Sequence, residues 1–202
     1  PIEVDSHQQD TVLGWLAKTE QRLMQMDEKR ALVQHRLEHL AHYDALTGLA
    51  NRLLLLQTLE QAIRRKPAAL IGLAYLDLDG FKVINDRYGH ALGDRVLQLL
   101  ATRLQQSMRP QDLLARFGGD EFVVLFNGLK NQDEGTDILT QLLHKLLEPL
   151  QLDEYSLQLS GSIGVTFYPQ RQPLEADQLL RQADQAMYQA KQAGRNRFSL
   201  AP

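Results

Sequence analysis

Between Ala68 and Leu78 nearly every position is apolar, with only Gly72 and Asp77 interrupting the run. A strand with one wet face alternates polar and apolar residues. A run without alternation is buried on both faces and belongs at the centre of a sheet covered by helices. This segment therefore predicts a mixed α/β architecture built around one central strand. The run closes on Asp77-Leu78-Asp79-Gly80-Phe81-Lys82, which delivers carboxylates to the end of the sheet, where solvent and ligand reach them. Two acids ending a buried strand point to chemistry more than to stability.

A second feature is Phe117-Gly118-Gly119-Asp120-Glu121-Phe122, flanked by Leu113-Leu114-Ala115 and Val123-Val124-Leu125-Phe126. Paired glycines tolerate positive φ and let a ligand approach the backbone, so this pattern predicts a hairpin over 113–126 with adjacent acids at its tip. An ordinary surface hairpin favours the same residues. If the hairpin lies beside the 68–78 strand, Asp77 and Asp120 converge on one or two hard cations. Acids so arranged hold Mg²⁺ against phosphate oxygens and activate a hydroxyl for in-line displacement, the chemistry of phosphoryl or nucleotidyl transfer. An acidic loop tip without a ligand is the plain alternative.

Helical spacing marks 51–65, 94–108, 136–147 and 179–193, the last followed by Gly194 as a C-terminal cap, and 157–167 reads as a further strand. The order helix, strand, helix, hairpin, helix, strand, helix describes an α/β sandwich with a central sheet. Upstream, Leu16, Leu23, Arg30 and Leu37 fall in one heptad register and Thr19, Met26, Val33 and Leu40 in the other. This predicts a continuous helix whose narrow seam seeks a partner helix in a coiled-coil dimer, although an amphipathic helix folded onto its own domain fits too. Arg30 and Thr19 weaken the seam. His35, His39 and His42 share a helical face, but no acid completes a ligand set, so a solvated face is expected. The stretch Asp44–Arg52 breaks the periodicity and links an N-terminal helix (1–40) to a catalytic-size domain (41–202).

Composition removes several functional classes. With 202 residues, 44% hydrophobic and 23% charged, the chain suits one globular domain plus an appendage. A net charge of −3 leaves no basic footprint for nucleic acid. There is no cysteine, hence no disulfide or thiolate metal site, which fits a reducing compartment and a cytoplasmic location. No apolar stretch has membrane-spanning length, so no direct membrane insertion is expected of this segment. The chain starts at Pro1, which suggests an excised fragment or a processed start, and a sensor domain could lie upstream.

Asn85, Asp86, His90 and Asp94 are interleaved with Gly89 and Gly93 at a helix start. They suit a base-binding rim, because a carboxylate such as Asp94 accepts from the N1–H and N2–H₂ edge of guanine while adenine presents a lone pair there. Asp94 equally suits a helix cap, and both roles can coexist. Lys191 and Arg195 flank Gly194 at the end of the last helix, where the helix dipole favours cations with or without a ligand. If that end overhangs the site, both can neutralise phosphates.

Taken together, these residues resemble a GGDEF-family diguanylate cyclase domain over roughly residues 40–198. The motifs that carry the resemblance are Asp44-Ala45-Leu46-Thr47-Gly48-Leu49, Asp77 to Lys82, Asn85-Asp86, Gly89-His90, Gly93-Asp94, Gly118 to Phe122, Ser162-Ile163-Gly164-Val165, and Ala183-Asp184 through Asn196. The resemblance implies a nucleotidyl-cyclase-like palm with a mostly antiparallel central sheet. It also implies condensation of two GTP molecules into cyclic di-GMP with release of two pyrophosphates. It further implies that Asp77, the Leu78 carbonyl and Asp120 hold Mg²⁺ or Mn²⁺, two ions per active half-site. Asp120 matches the proton acceptor, Glu121 is the second signature acid, and Lys82 stabilises developing phosphate charge. Asn85 and Asp94 match guanine-reading positions, and His90, Phe81, Gly118 and Gly119 match substrate contacts. Lys191 and Arg195 match a phosphate-binding pair. None of these positions is degenerate.

Each domain of this family binds one GTP, so the resemblance also implies a catalytic homodimer, with the heptad helix holding two copies and relaying an upstream signal. Arg109-Pro110-Gln111-Asp112 resembles the family's RxxD inhibitory site for cyclic di-GMP, with Arg116 as an additional contact. In isolation this pattern is also that of an exposed Arg–Asp pair. Ala50 stands where the family often has Pro, and Gly80 occupies a variable position. A non-catalytic module that senses GTP or cyclic di-GMP is the alternative function, and another nucleotidyl cyclase on the same palm a third.

Overall fold

The computed structural model describes residues 6–65 and 69–202, with side chains from Gly14 onward except that of His35. Ala68, the first residue of the long apolar run, and Pro1 lie outside the described residues. The chain divides into two compact units, Pro1–Ala41 and His42–Pro202.

In the first unit, helix α1 (Ser6–His42) carries the heptad residues. It is longer at both ends than the periodic stretch 16–40. Leu16, Leu23, Met26, Val33, Leu37 and Leu40 are all exposed among the described residues. His39 is exposed as expected. No described helix is long and apolar enough to cross a membrane.

In the second unit the elements are α2 (Arg52–Arg64), β1 (Leu70–Asp79), α3 (Phe81–Tyr88), α4 (His90–Gln106), β2 (Leu113–Gly118), β3 (Glu121–Leu129), α5 (Gln132–Leu147), β4 (Leu150–Leu152), β5 (Tyr155–Leu157), β6 (Ser160–Tyr168), α6 (Ala176–Gln192) and β7 (Arg197–Leu200). The main sheet has the order β2-β3-β1-β6-β7, which puts β1 at its centre as the apolar run requires. All pairings are antiparallel except β6 with β7. Strand alternation sorts the core into two layers. Ala74, Leu76, Leu78, Phe122, Val124 and Phe126 face α3, α4 and α5. Ile71, Leu73, Tyr75, Val123 and Leu125 face α2 and α6.

The sequence reading placed several boundaries differently. α4 begins at His90 instead of Asp94, because Gly89 at φ 85° breaks the chain between two helices and α3 occupies the preceding motif. Asp94 therefore lies in the second turn of α4 and caps nothing. α5 starts at Gln132, with Asn131 accepting from the Glu134 amide at 2.9 Å as its N-cap. α6 starts at Ala176 through a capping box between Glu175 and Gln178. β6 starts at Ser160, and the residues before it form the small β4–β5 hairpin. That hairpin, α3 and β7 have too few apolar positions to show a period.

Candidate active site

The site forms where β1 leaves the sheet. Asp77 is register partner to Glu121 on β3, and the Leu78 amide donates to the Asp120 carbonyl at 3.2 Å. The β2–β3 hairpin thus lies beside β1 and brings its tip to the acidic strand end. In extended backbone the N–H and C=O of one residue face the same neighbour, so the Leu78 carbonyl also faces this tip. Burial pushes the Asp77 carboxyl above its usual range, and the charges of Asp120 and Glu121 push the same way, against a hydrogen bond from Lys191. A mutually repelling carboxylate group beside a backbone carbonyl is a hard-cation donor set, and it fits Mg²⁺ or Mn²⁺. Among the described residues no three such side chains already converge as a closed cage.

Cations approach from α6. Lys191 Nζ lies 2.9 Å from Asp77 Oδ1, and Arg195 Nε lies 3.9 Å from Asp79 Oδ1. The C-terminal end of α6 therefore overhangs the acids, meeting the condition set by the sequence. It can lie so close to the sheet because β6 carries Gly164. A Cβ there would overlap the Ala183 carbonyl and the Met187 amide of α6, so a larger residue would lift the helix and its cations away.

The hairpin tip has its own support, which sequence reasoning missed. Gly118 and Gly119 adopt φ of 135° and 50°, the left-handed region that favours glycine. The Arg116 guanidinium donates twice to the Gly119 carbonyl, at 3.1 and 2.8 Å, and twice to Asp44 at 2.9 Å. Asp44 also accepts from the Thr47 amide (2.9 Å) and hydroxyl (2.6 Å), folding the linker into a tight turn. Burial alone would raise the Asp44 carboxyl, but Thr47 and Arg116 outweigh it and hold the group below its usual range. The linker motif after α1 is thus tied to the hairpin tip through one arginine. The only signal in the sequence was the motif itself.

On the opposite face, α3 and α4 present the suggested base-binding residues. Asn85 Oδ1 is buried without a hydrogen-bond partner among the described residues. It is pressed against Gly93, where a Cβ would overlap it. Such an orphaned acceptor carries a desolvation penalty of about 1–3 kcal/mol unless a ligand satisfies it. Asp94 follows Gly93 directly and is exposed, as are His90 and Lys82. Phe81 is only 6% exposed and packs in the core against Gly93, so it forms the wall behind Asn85 and offers little surface to a substrate. The β4–β5 hairpin steadies this rim, with Arg95 bidentate to Asp153 and Tyr88 against Tyr155 at 5.0 Å between centroids.

Arg109 and Asp112 lie at the base of the hairpin, away from its tip. Their pair is bidentate at 2.8 Å, and Arg109 also donates to Glu134 (2.9 Å) and to the Asn127 carbonyl (3.1 Å). The Asp112 side chain has no exposure and additionally accepts from the Asn127 amide. Asp112 is buried and Arg109 half-buried, so this is not the exposed pair that the spacing alone suggested. Arg116 commits its donors to Asp44 and Gly119 and is not brought to this pair.

Residues 41–197 match the family model "Diguanylate cyclase, GGDEF domain". The chain belongs to the GGDEF family. The chain is 38% identical, over 90% of its length, to the bifunctional diguanylate cyclase/cyclic di-GMP phosphodiesterase MucR of Pseudomonas aeruginosa, of which it covers 27%. Its fold is similar to the solved GGDEF domain of TpbB from the same organism, with a TM-score of 0.76 and 36% identity over 80% of this chain and 95% of that one. It is also similar to the coiled coil and GGDEF domain of DgcB from Caulobacter crescentus, solved with c-di-GMP, with a TM-score of 0.80 and 26% identity over 95% of this chain and 100% of that one. The chain spans less than a third of the length of the curated relatives it matches first.

Proposed function

We propose that this domain is an active diguanylate cyclase that condenses two GTP molecules into cyclic di-GMP and releases two pyrophosphates. One observation carries the reading: Asp77 faces the Asp120-Glu121 tip across a fixed strand register, with Lys191 opposite. That combination suits a triphosphate bound through cations on both sides. Asp77, the Leu78 carbonyl and Asp120 would hold Mg²⁺ or Mn²⁺, two per half-site. When bound, the ions supply electrostatic stabilisation to charge that develops on the phosphates. Lys82, Lys191 and Arg195 offset further phosphate charge, and Asp120 accepts the proton of the attacking 3′-OH. Asn85 and Asp94 read the guanine edge, with His90 and the Gly118-Gly119 backbone alongside the substrate. The buried Asn85 oxygen, unpartnered among the described residues, supports that role.

One domain presents one such site, so attack of one substrate on the other's α-phosphate needs two copies face to face. The exposed seam of α1 is the surface for that homodimer. Thr19 does not spoil it, since its hydroxyl donates to the Trp15 carbonyl of the same helix at 2.8 Å. An upstream sensor acting through α1 would reach the hairpin tip by way of Asp44 and Arg116. Product inhibition through Arg109 and Asp112 requires cyclic di-GMP to displace the contacts these side chains now make to one another. A cytoplasmic location follows from the substrate.

Incubating the purified dimeric protein with GTP and Mg²⁺, with ATP in parallel, and resolving products by chromatography tests the reading. Cyclic di-GMP from GTP alone is expected. A dimeric sample that binds GTP without turnover would favour the sensing module, and turnover of ATP would favour another cyclase.

A further inference from the structure

Of the two acids that close β1, Asp79 faces away from the hairpin tip and does something different from Asp77. Its side chain is only 7% exposed. Oδ2 accepts from the Ser160 hydroxyl at 2.7 Å and from the Asn196 backbone amide at 3.1 Å, and Oδ1 accepts from the Ser162 hydroxyl at 2.8 Å. The chain it grips after α6 is strained. Arg195 and Asn196 have φ of 61° and 47°, and Gly194 before them has φ of 115°. Consecutive non-glycine residues in the left-handed region persist only where surrounding contacts impose them. The Arg195 amide donates to the Ala190 carbonyl at 3.1 Å, which ends the helix, Arg197 Nε donates to the Arg195 carbonyl at 3.0 Å, and the buried Asp79 carboxylate takes the Asn196 amide. The Arg195 side chain remains 63% exposed and approaches Asp79 no closer than 3.9 Å, so its guanidinium is steered by the acid without being consumed.

We infer that Asp79 is a positioning residue: its buried carboxylate holds the left-handed turn 194–196 that presents Arg195 to the phosphates of the bound nucleotide. The serines of β6 orient the carboxylate, and the carboxylate orients the turn. The end of β1 thereby sets both halves of the site, Asp77 on the cation side and Asp79 on the arginine side. This rests on the reading that Arg195 contacts phosphate.

The test measures binding of a non-hydrolysable GTP analogue with Mg²⁺ to the full chain by calorimetry, for Arg195→Ala, Asp79→Ala, Asp79→Asn, Asn196→Pro and the double variant Asp79→Ala/Arg195→Ala. Arg195→Ala is expected to weaken binding about tenfold or more, as loss of a charge-assisted hydrogen bond does. Asp79→Ala is expected to approach that loss while leaving the preference for GTP over inosine triphosphate unchanged. The double variant should bind no more weakly than Arg195→Ala alone. Asp79→Asn should recover part of the affinity, because its amide oxygen can still accept from Asn196. Asn196→Pro removes the donor and forbids the positive φ while sparing the buried acid and its serines. It should reproduce the loss even if Asp79→Ala fails to fold. Losses that multiply in the double variant would overturn the inference, as would unaltered affinity in Asn196→Pro. Unaltered affinity in Arg195→Ala would instead overturn the phosphate role of Arg195, and the inference with it.

Discussion

Gly93→Ala is the most discriminating single substitution. Its Cβ would overlap Asn85 Oδ1 and come within 3.3 Å of the Phe81 ring. Phe81 is core and cannot retreat, so Asn85 must rotate away from the rim. An asparagine reading a base edge contributes two neutral hydrogen bonds, together about 1–3 kcal/mol. At 1.4 kcal/mol per factor of ten, GTP affinity should fall roughly 5- to 140-fold. Folding stability should hardly change. Alanine gains about 1 kcal/mol of helix propensity within α4, and an off-rotamer Asn85 costs about as much. The shift in melting temperature should stay within about 4 °C. Calorimetry with a GTP analogue gives the affinity and a thermal melt gives the stability. Asn85→Ala should lose a similar amount, and Gly93→Ala/Asn85→Ala no more than either alone. Undiminished GTP affinity in Gly93→Ala would refute this account of the rim.

Asp120→Ala should abolish turnover with the fold intact, checked by product assay and circular dichroism, because it removes a tip carboxylate and no core volume. Asp77→Asn should likewise be inactive, yet melt higher than the parent in metal-free buffer at neutral pH. Its carboxyl is raised when folded, so stability linked to its protonation is lost as pH rises through that raised value, and the neutral isostere escapes the loss. Asp44 behaves oppositely. Its depressed carboxyl stabilises above the usual value of 3.8 and ceases to as pH falls through the folded value, so Asp44→Asn should lower the melting temperature at pH 7 and progressively less at acid pH. Arg109→Ala should relieve product inhibition, but it also strands the fully buried Asp112 charge. Denaturant melts should therefore show about 3 kcal/mol of lost stability, which Asp112→Asn in the same chain restores in part.

The central strand, the hairpin and the paired acids were legible because each depends on local pattern. A nearly continuous apolar run of strand length reads as a doubly covered strand, and a Gly-Gly step between two apolar runs reads as a turn. The arrangement that makes them a site was less visible. Nothing in the spacing says that Arg116 bridges residues 44 and 119, since such pairs depend on which strands become neighbours. Asp79 was read together with Asp77 as chemistry, yet its oxygens serve the backbone of a distant turn. The buried state of Asp112 also escaped, because RxxD specifies residues and not what packs over them. α3 and β7 were missed for a different reason. They are short, and they owe their structure to Gly89 and to pairing with β6 more than to their own periodicity.

A crystal of the protein grown with a GTP analogue and Mn²⁺, with anomalous scattering recorded at the manganese edge, tests the central claim most directly. Manganese density bridging the Asp77 carboxylate, the Leu78 carbonyl and Asp120, with the triphosphate against Lys191 and Arg195, is the expected result. A triphosphate bound elsewhere, with no metal between β1 and the hairpin tip, would contradict it.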